Sequence, residues 1–232
     1  MLLSSHMRFI YMKTARTAST SVEVYFEPWC VPEGKSPLPM ATPQQVSKAG
    51  VVGYRGPDLE ERAASVWQSH MSATTVRGLV GERVWDDYFK FAVVRNPFDR
   101  LASLYNFTVR RGLIGEGRRF PIGPPIQDTL RERFRQWLTW SPRWIRADRS
   151  HYMIDGQFCL DDVIKFESLH EGLERICKRL DIEYRAEALR HLHAAGARVV
   201  PTEDYYCDET VELVREAYAD VMEMFGYSVP WL

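Results

Sequence analysis

The chain has 232 residues, 45% of them hydrophobic and 26% charged, with a formal net charge of −1. That length and composition suit one globular domain with a full core, 1–232. They exclude a disordered chain, a disulfide-stapled miniprotein and a dedicated nucleic-acid binder. The charge is unevenly spread: residues 110–149 hold ten Arg against four acids, and residues 150–232 hold eight basic against seventeen acidic residues. A positive middle section points to an anionic ligand near it, and an Arg-rich solvated surface fits the same count. Cys30, Cys159, Cys177 and Cys207 lie far apart with no CxxC pair, so they read as free thiols. No apolar run approaches the roughly 20 residues of a membrane span. The opening MLLSSHMRF is too short for a signal peptide and lacks its basic start and apolar core. A cytoplasmic protein with no stable membrane insertion is expected. The SSHM stretch also fits a tag remnant, with Met7 as the natural start.

Taken in order, MRFIYM is a first strand, and STSVEVYF opens a helix with Ser19 or Thr20 near its cap and Glu23 in its first turn. Residues 28–45 are proline-rich and read as a surface loop. GVVGY is a second strand, and residues 72–88 carry helical spacing at Val76, Leu79, Val80 and Val84. FKFAVV, residues 89–94, is the clearest strand, and NPFDRLASLYNFTV the clearest helix, with Pro97 in its first turn. Residues 110–126, rich in Arg, Gly and Pro, read as a flexible loop suited to a lid. IQDTLRERFRQWL is a helix and DDVIKF a strand. SLHEGLERICKRL, EALRHLHAA and DETVELVREAYADVMEMF read as amphipathic helices. Strands alternating with helices predict an α/β domain with a central, mainly parallel sheet flanked by helices.

Two stretches carry chemistry. In FIYMKTARTASTSVE a strand ends in a turn rich in hydroxyls and then opens a helix. Such a turn aims backbone N–H groups, with the helix dipole behind them, at one point. Thr17, Ser19, Thr20 and Ser21 add hydroxyls, and Lys13 and Arg16 add charge. The turn has no glycine, so it is not the Walker loop G-x-x-x-x-G-K-[ST]. The GKS at Gly34–Ser36 is a decoy, followed by Pro37 and preceded by no strand. The second stretch, VVRNPFDRLASLY, repeats the strand-to-helix layout. Arg95 stands at the strand's C-terminal edge and Ser103 about two helical turns on, a sensible phosphate clamp. Asp99 and Arg100 are expected to lock the helix to its neighbours. Without further context, a Ser/Thr-rich helix cap with no ligand also fits the first stretch.

Taken together, RTASTS after one strand and VVRNPFDRLASLY after another resemble the sulfotransferases that use 3′-phosphoadenosine 5′-phosphosulfate (PAPS). The nearest group is the carbohydrate-type branch, which includes the heparan 2-O-sulfotransferases and many bacterial members. The resemblance continues through QSHMSA, VIKFESL and YYCDETVELVREAYADVMEMFGY. It implies a P-loop-NTPase-like sulfotransferase fold and transfer of a sulfuryl group to a carbohydrate, lipid or small-molecule hydroxyl. The leaving product would be adenosine 3′,5′-bisphosphate (PAP). It implies that Arg16, Thr17, Ala18, Ser19, Thr20 and Ser21 receive the phosphosulfate, with Arg95 and Ser103 on the 3′-phosphate. Relatives carry Lys where this chain has Arg16, so either Arg16 alone or Arg16 with Lys13 serves the leaving group. A catalytic base matches His70 in QSHMSA, with Glu23 as its rival. A neutral imidazole is the right group to take a proton from a hydroxyl. A structural histidine is the alternative reading. No metal is expected, since no ligand cluster of convincing spacing occurs. On the acceptor side, Arg110, Arg111, Arg118 and Arg119 suit an anionic acceptor, and Trp137, Trp140 and Trp144 suit sugar stacking or core packing. His151, His170, His191 and His193 sit in no motif. A P-loop kinase and a non-catalytic nucleotide or anion binder are the competing readings.

Overall fold

The computed structural model describes residues 1–35, 41–114, 129–140, 148–190, 192 and 200–232. The expectations for Arg118, Arg119, Trp144, His191, His193 and most of the 110–126 loop lie outside the described residues. Two compact units divide the chain: Met1–Val94 with Arg149–Ala194, and Arg95–Asp148 with Ala195–Leu232.

The first unit is built on strands β1 (Leu2–Ser4), β2 (Phe9–Met12), β3 (Gln45–Val46), β4 (Gly50–Val52), β5 (Phe89–Val94), β6 (Met153–Ile154), β7 (Gln157–Phe158) and β8 (Asp162–Lys165). Six of them form one sheet in the order β3-β4-β1-β2-β5-β8, and β6 and β7 pair as a hairpin. Among the described residues of this sheet, the β2–β5 and β5–β8 pairings are parallel; β1 runs antiparallel to both β2 and β4, and β3 antiparallel to β4. The expected mainly parallel sheet is therefore mixed. The reason is local: β1 and β2 are separated by residues 5–8, a link too short for anything but a reversal, because a parallel neighbour needs a crossover of a dozen residues or more. Arg8, at φ 52, closes that reversal.

Among the described residues the helices are α1 (Ser19–Phe26), α2 (Leu59–Ala64), α3 (Ala73–Val80), α4 (Glu82–Asp87), α5 (Pro97–Arg110), α6 (Leu130–Trp140), α7 (Leu169–Arg179), α8 (Asp208–Ala217) and α9 (Ala219–Phe225). The expected single helix over 72–88 is broken at Gly81, whose φ of 80 no other residue type adopts cheaply. The expected helix over 208–225 breaks at Tyr218. Of the described residues of EALRHLHAA, Glu187 and Ala188 lie in a short 3-10 turn, Ala186–Ala188, and Leu189 and Arg190 carry no regular structure. No helix among the described residues is long and apolar enough to cross a membrane.

β5 is apolar along nearly its whole length and buried from Lys90 to Val94, as expected for a strand covered on both faces. Around it, Phe26 packs edge-on to Phe91 at 5.1 Å and to Phe9 at 5.6 Å. α7 lies so close to β8 that a Cβ at Gly172 would stand 2.6 Å from the Ile164 side chain. In the second unit, Phe98 packs against Tyr206 and Trp231, and Tyr105 against Phe134 and Trp137.

Residues 1–4, which include part of the stretch suspected as a tag remnant, are integral to this core. Met1, Leu2 and Ser4 are fully buried, and β1 pairs on both sides. Cys30 and Cys177 are buried free thiols, while Cys159 and Cys207 are partly exposed.

Candidate active site

β2 and β5 are parallel neighbours, with Met12 opposite Ala92, so both strands end at one edge of the sheet. The hydroxyl-rich turn, residues 13–18, leaves β2 at that edge and enters α1. Its backbone alternates: Arg16 (φ 65) and Ala18 (φ 56) are left-handed and Thr17 is not. Alternation of this kind turns successive N–H groups into one concavity, an anion nest. Ala18 is the cap of α1 and offers no side-chain acceptor to the first turn. Among the described residues, the N–H groups of Thr17, Ala18, Ser19 and Thr20 meet no protein acceptor. Glycine is unnecessary here because Arg and Ala hold the positive φ values, at a strain of order 1 kcal/mol each.

The hydroxyls mostly build the turn. Thr14 is the hub: its Oγ1 donates to the Val93 carbonyl at 2.5 Å and so must accept from Thr17 Oγ1 at 2.7 Å. Ser19 Oγ donates to the Thr14 carbonyl at 2.5 Å. Ser21 Oγ accepts from Leu192 N at 3.0 Å. A hydroxyl has one proton, so Thr17 and Ser19 have already spent theirs. Thr20 alone among these residues keeps a hydroxyl with no protein partner. The Arg16 side chain is half-buried at the turn.

Beneath the turn lies a charge cluster that spacing along the chain did not reveal. Glu23, fully buried on α1, accepts from Lys13 Nζ at 2.5 Å and from Arg55 at 2.7 Å on Oε2; its Oε1 stands 3.3 Å from the Met1 amine. Arg55 also holds Glu27 at 2.9 Å, leaving Glu27 Oε1 without a hydrogen bond. Burial by itself would favour the neutral Glu23 acid, but Lys13, the Met1 amine and Arg55 outweigh it and hold its carboxyl well below the usual carboxylate range. Burial dominates at Glu27 and raises its pKa despite Arg55. Glu23, the rival base, is therefore sealed from any substrate and held ionised by cations. Lys13, 2% exposed, has its ammonium committed to Glu23. The sequence signal for this cluster was two acids four residues apart, Glu23 in the apolar second half of α1 and Glu27 at its C-cap, with an Arg just past β4.

His70 sits beside the turn. Residues 67–69 are pinned to Tyr54, just beyond β4: Tyr54 N donates to Trp67 O at 2.7 Å and Ser69 N donates to Tyr54 O at 3.0 Å. Ser72 then caps α3, accepting from Thr75 N at 3.1 Å. Between these fixed points His70 takes a φ of 58, and its Nδ1 stands 3.0 Å from the Lys13 carbonyl. A carbonyl only accepts, so Nδ1 carries the proton and Nε2 is the basic nitrogen. The His151 ring, on a 3-10 turn at Arg149–His151, meets the His70 ring edge-on at 6.2 Å. His70 is exposed to solvent. Desolvation by the neighbouring protein, with the charges of Lys13 and His151, lowers its pKa below the usual histidine value. In the neutral ring the lone pair is on Nε2.

Arg95 follows Val94 directly and belongs to the second unit. It lies 4.0 Å from Asp99 one turn on, and Ser103 lies further along the same helix, half-buried. Asn96 caps α5 by accepting from Phe98 N at 3.1 Å and donates to Ser228 O at 2.8 Å. As expected, the next two charges lock α5. Asp99 accepts from the Thr202 hydroxyl, and buried Arg100 pairs with Asp148 at 3.2 Å and hydrogen-bonds Tyr218. Of the tryptophans, Trp137 is a core residue and Trp140 is 64% exposed. Arg110 and Arg111 are exposed.

A family model described as "Sulfotransferase family" matches residues 6–228. No curated protein matches the chain, and neither does any solved structure.

Proposed function

Since the chain belongs to the sulfotransferase family and is thus a sulfuryl-transferring enzyme, we propose that its donor is PAPS and its acceptor a hydroxyl of a carbohydrate, lipid or small molecule. The observation that carries this reading is the row of open N–H groups from Thr17 to Thr20, beside an imidazole fixed with Nε2 basic. Four converging donors at a helix start suit a multiply charged anion. The family match runs through both units, which supports one sulfotransferase domain over residues 1–232.

Bound PAPS would supply the sulfuryl group, which moves in line to the acceptor oxygen as PAP leaves. The chain's own residues do the rest. Backbone N–H groups of Thr17, Ala18 and Ser19, with both N–H and hydroxyl of Thr20, hold the phosphosulfate oxygens. Ser21 holds the far side of the turn to Leu192. Arg16, a planar fork of fixed charge, neutralises the leaving phosphate, standing where relatives use a mobile ammonium. Lys13, with its ammonium on Glu23, serves the site through its carbonyl and not as a second leaving-group cation. His70 Nε2 takes the acceptor's proton. Arg95 and Ser103, assigned from the VVRNPFDRLAS motif, bind the 3′-phosphate. Catalysis of this kind is mostly positioning and charge neutralisation. The carbohydrate-type resemblance and the Arg-rich segment after residue 110 support an anionic sugar as the acceptor class.

Calorimetry with PAP, ADP and Mg·ATP tests the donor. PAP should bind best, and a preference for Mg·ATP would replace this reading with a kinase. In the same assay Arg95→Ala should weaken PAP about tenfold to a hundredfold while leaving adenosine 5′-phosphosulfate, which has no 3′-phosphate, nearly unaffected. Equal losses for both ligands would remove Arg95 from the clamp.

A further inference from the structure

Glu23 and Arg55 have no part in the chemistry described above, yet the cluster they form with Lys13 touches both the anion nest and the imidazole. Lys13 directly follows β2 and Glu23 lies on α1, so their 2.5 Å contact closes residues 14–22 into a loop across the base of the anion nest. The same Lys13 offers its carbonyl to His70 Nδ1 at 3.0 Å. Arg55, just beyond β4, grips the same Glu23 oxygen at 2.7 Å, and the His70 segment is laid against Tyr54, its neighbour in the chain. One carboxylate therefore ties together the strand that launches the nest, the helix that completes it and the segment that carries the imidazole.

We infer that Glu23 is a positioning residue for the base: by clamping Lys13 across the loop, it fixes the Lys13 carbonyl that keeps His70 in the Nδ1–H tautomer, with Nε2 basic. This rests on the reading of His70 as the base. A lysine side chain is long and flexible, and without its buried partner the turn's first peptide would be held only from its far side, by Thr14 Oγ1 on Val93 O and Ser19 Oγ on Thr14 O, leaving the Lys13 carbonyl freer to reorient. The imidazole would then be free to rotate or to protonate on Nε2, which disables it as a base.

The charged and titratable groups that act on His70 are Lys13 at the end of β2, His151 on its 3-10 turn, the Met1 amine ahead of β1 and Glu23 on α1. Removing Glu23's charge and removing Lys13's charge should move the imidazole in opposite directions. A purely structural role predicts no such opposition.

The test is NMR of the imidazole nitrogens in the full chain without ligand, so it needs no turnover. In the unaltered protein the neutral His70 ring should carry its proton on Nδ1; an Nε2–H ring would overturn the proposal by itself. Glu23→Gln, nearly isosteric, should raise the Nε2–H fraction and lower the His70 pKa. Lys13→Met should raise that pKa by about half a unit or more. Unchanged tautomer and pKa in both folded variants would overturn the assignment. In transfer assays Glu23→Gln should lower kcat about tenfold to a hundredfold with KM for PAPS changed less than about threefold. A comparable rise in KM would make the cluster a binding element instead. If the unaltered chain transfers nothing from PAPS yet shows the expected ring behaviour, the donor assignment fails and the positioning role stands.

Discussion

At Arg16 the choice of side chain and the choice of backbone pull in different directions. The position needs a positive φ, which favours glycine, and the chemistry needs a cation. Arg meets the second need with a group that stays charged at any working pH. Arg16→Ala should lower kcat/KM about 10²–10³-fold, the usual loss for one charge-stabilising donor. Arg16→Lys should stay within about tenfold, because a lysine can neutralise the same phosphate. Initial rates across a range of PAPS concentrations, with product quantified by mass spectrometry, distinguish the two. For His70 the sign of the pH effect follows from its depressed pKa. A base must be unprotonated, so a lowered pKa extends the active range downward. The acidic limb of kcat/KM should fall below the ordinary histidine value of 6.5. His70→Ala should leave PAP affinity near normal by calorimetry while reducing transfer about 10²–10⁴-fold. Normal turnover in that variant would hand the proton to another group. The sequence exposed the row of hydroxyls but not their duties. Thr14 spends its proton on Val93, a residue 79 positions away, and Thr17 is drawn in behind it.

Among the elements, the α1–β2 junction is held by ion pairing more than by capping. Glu23→Ala would leave Lys13 and Arg55 buried without their shared carboxylate, and loss of one partner of a buried pair costs about 3–5 kcal/mol. Chemical denaturation near pH 7 measures it. The pH dependence has a definite sign. Glu23's folded pKa is depressed, so its contribution is complete above the unfolded value of about 4.3 and declines as pH falls toward the folded value. The stability gap between the unaltered protein and Glu23→Gln should therefore narrow below about pH 4. Between α3 and α4, Gly81 has a φ of 80, and a methyl group added there would meet no atom within 4 Å. Gly81→Ala should thus cost only backbone strain, about 1–3 kcal/mol for a φ of 80 with a ψ of 157, with no change in activity. The strands β2, β5 and β8 and the helices α1, α5 and α7 were legible because each is a periodic or continuous apolar run with a clear start. The breaks at Gly81 and Tyr218 were not. Apolar spacing continues across both, and at Tyr218 the hydroxyl's bond to Arg100 is a contact that only the folded chain makes.

For the whole molecule, the class of fold was readable and the direction of the sheet was not. Alternation of strands and helices suggests parallel pairing, and it holds for β2, β5 and β8. The antiparallel part comes from β1, whose three residues are too few for any periodic signal and resemble a leftover tag. Arg55 and Glu27 escaped notice, and His151 was read as sitting in no motif, for a related reason: each becomes a site neighbour only after β4 and the 149–151 turn are placed. β1 also has a practical consequence for how the protein is produced. It is an interior strand, paired to β2 through Leu2–Tyr11 and to β4 through Leu2–Val52. A version begun at Met7 would not lose a loose end. It would cut the sheet in two, detach β3 and β4, and bare a flank of β2, whose Phe9 and Tyr11 side chains are buried. An unpaired apolar edge recruits other chains. Such a version should elute as aggregates in size-exclusion chromatography with light scattering, whereas the full chain should not.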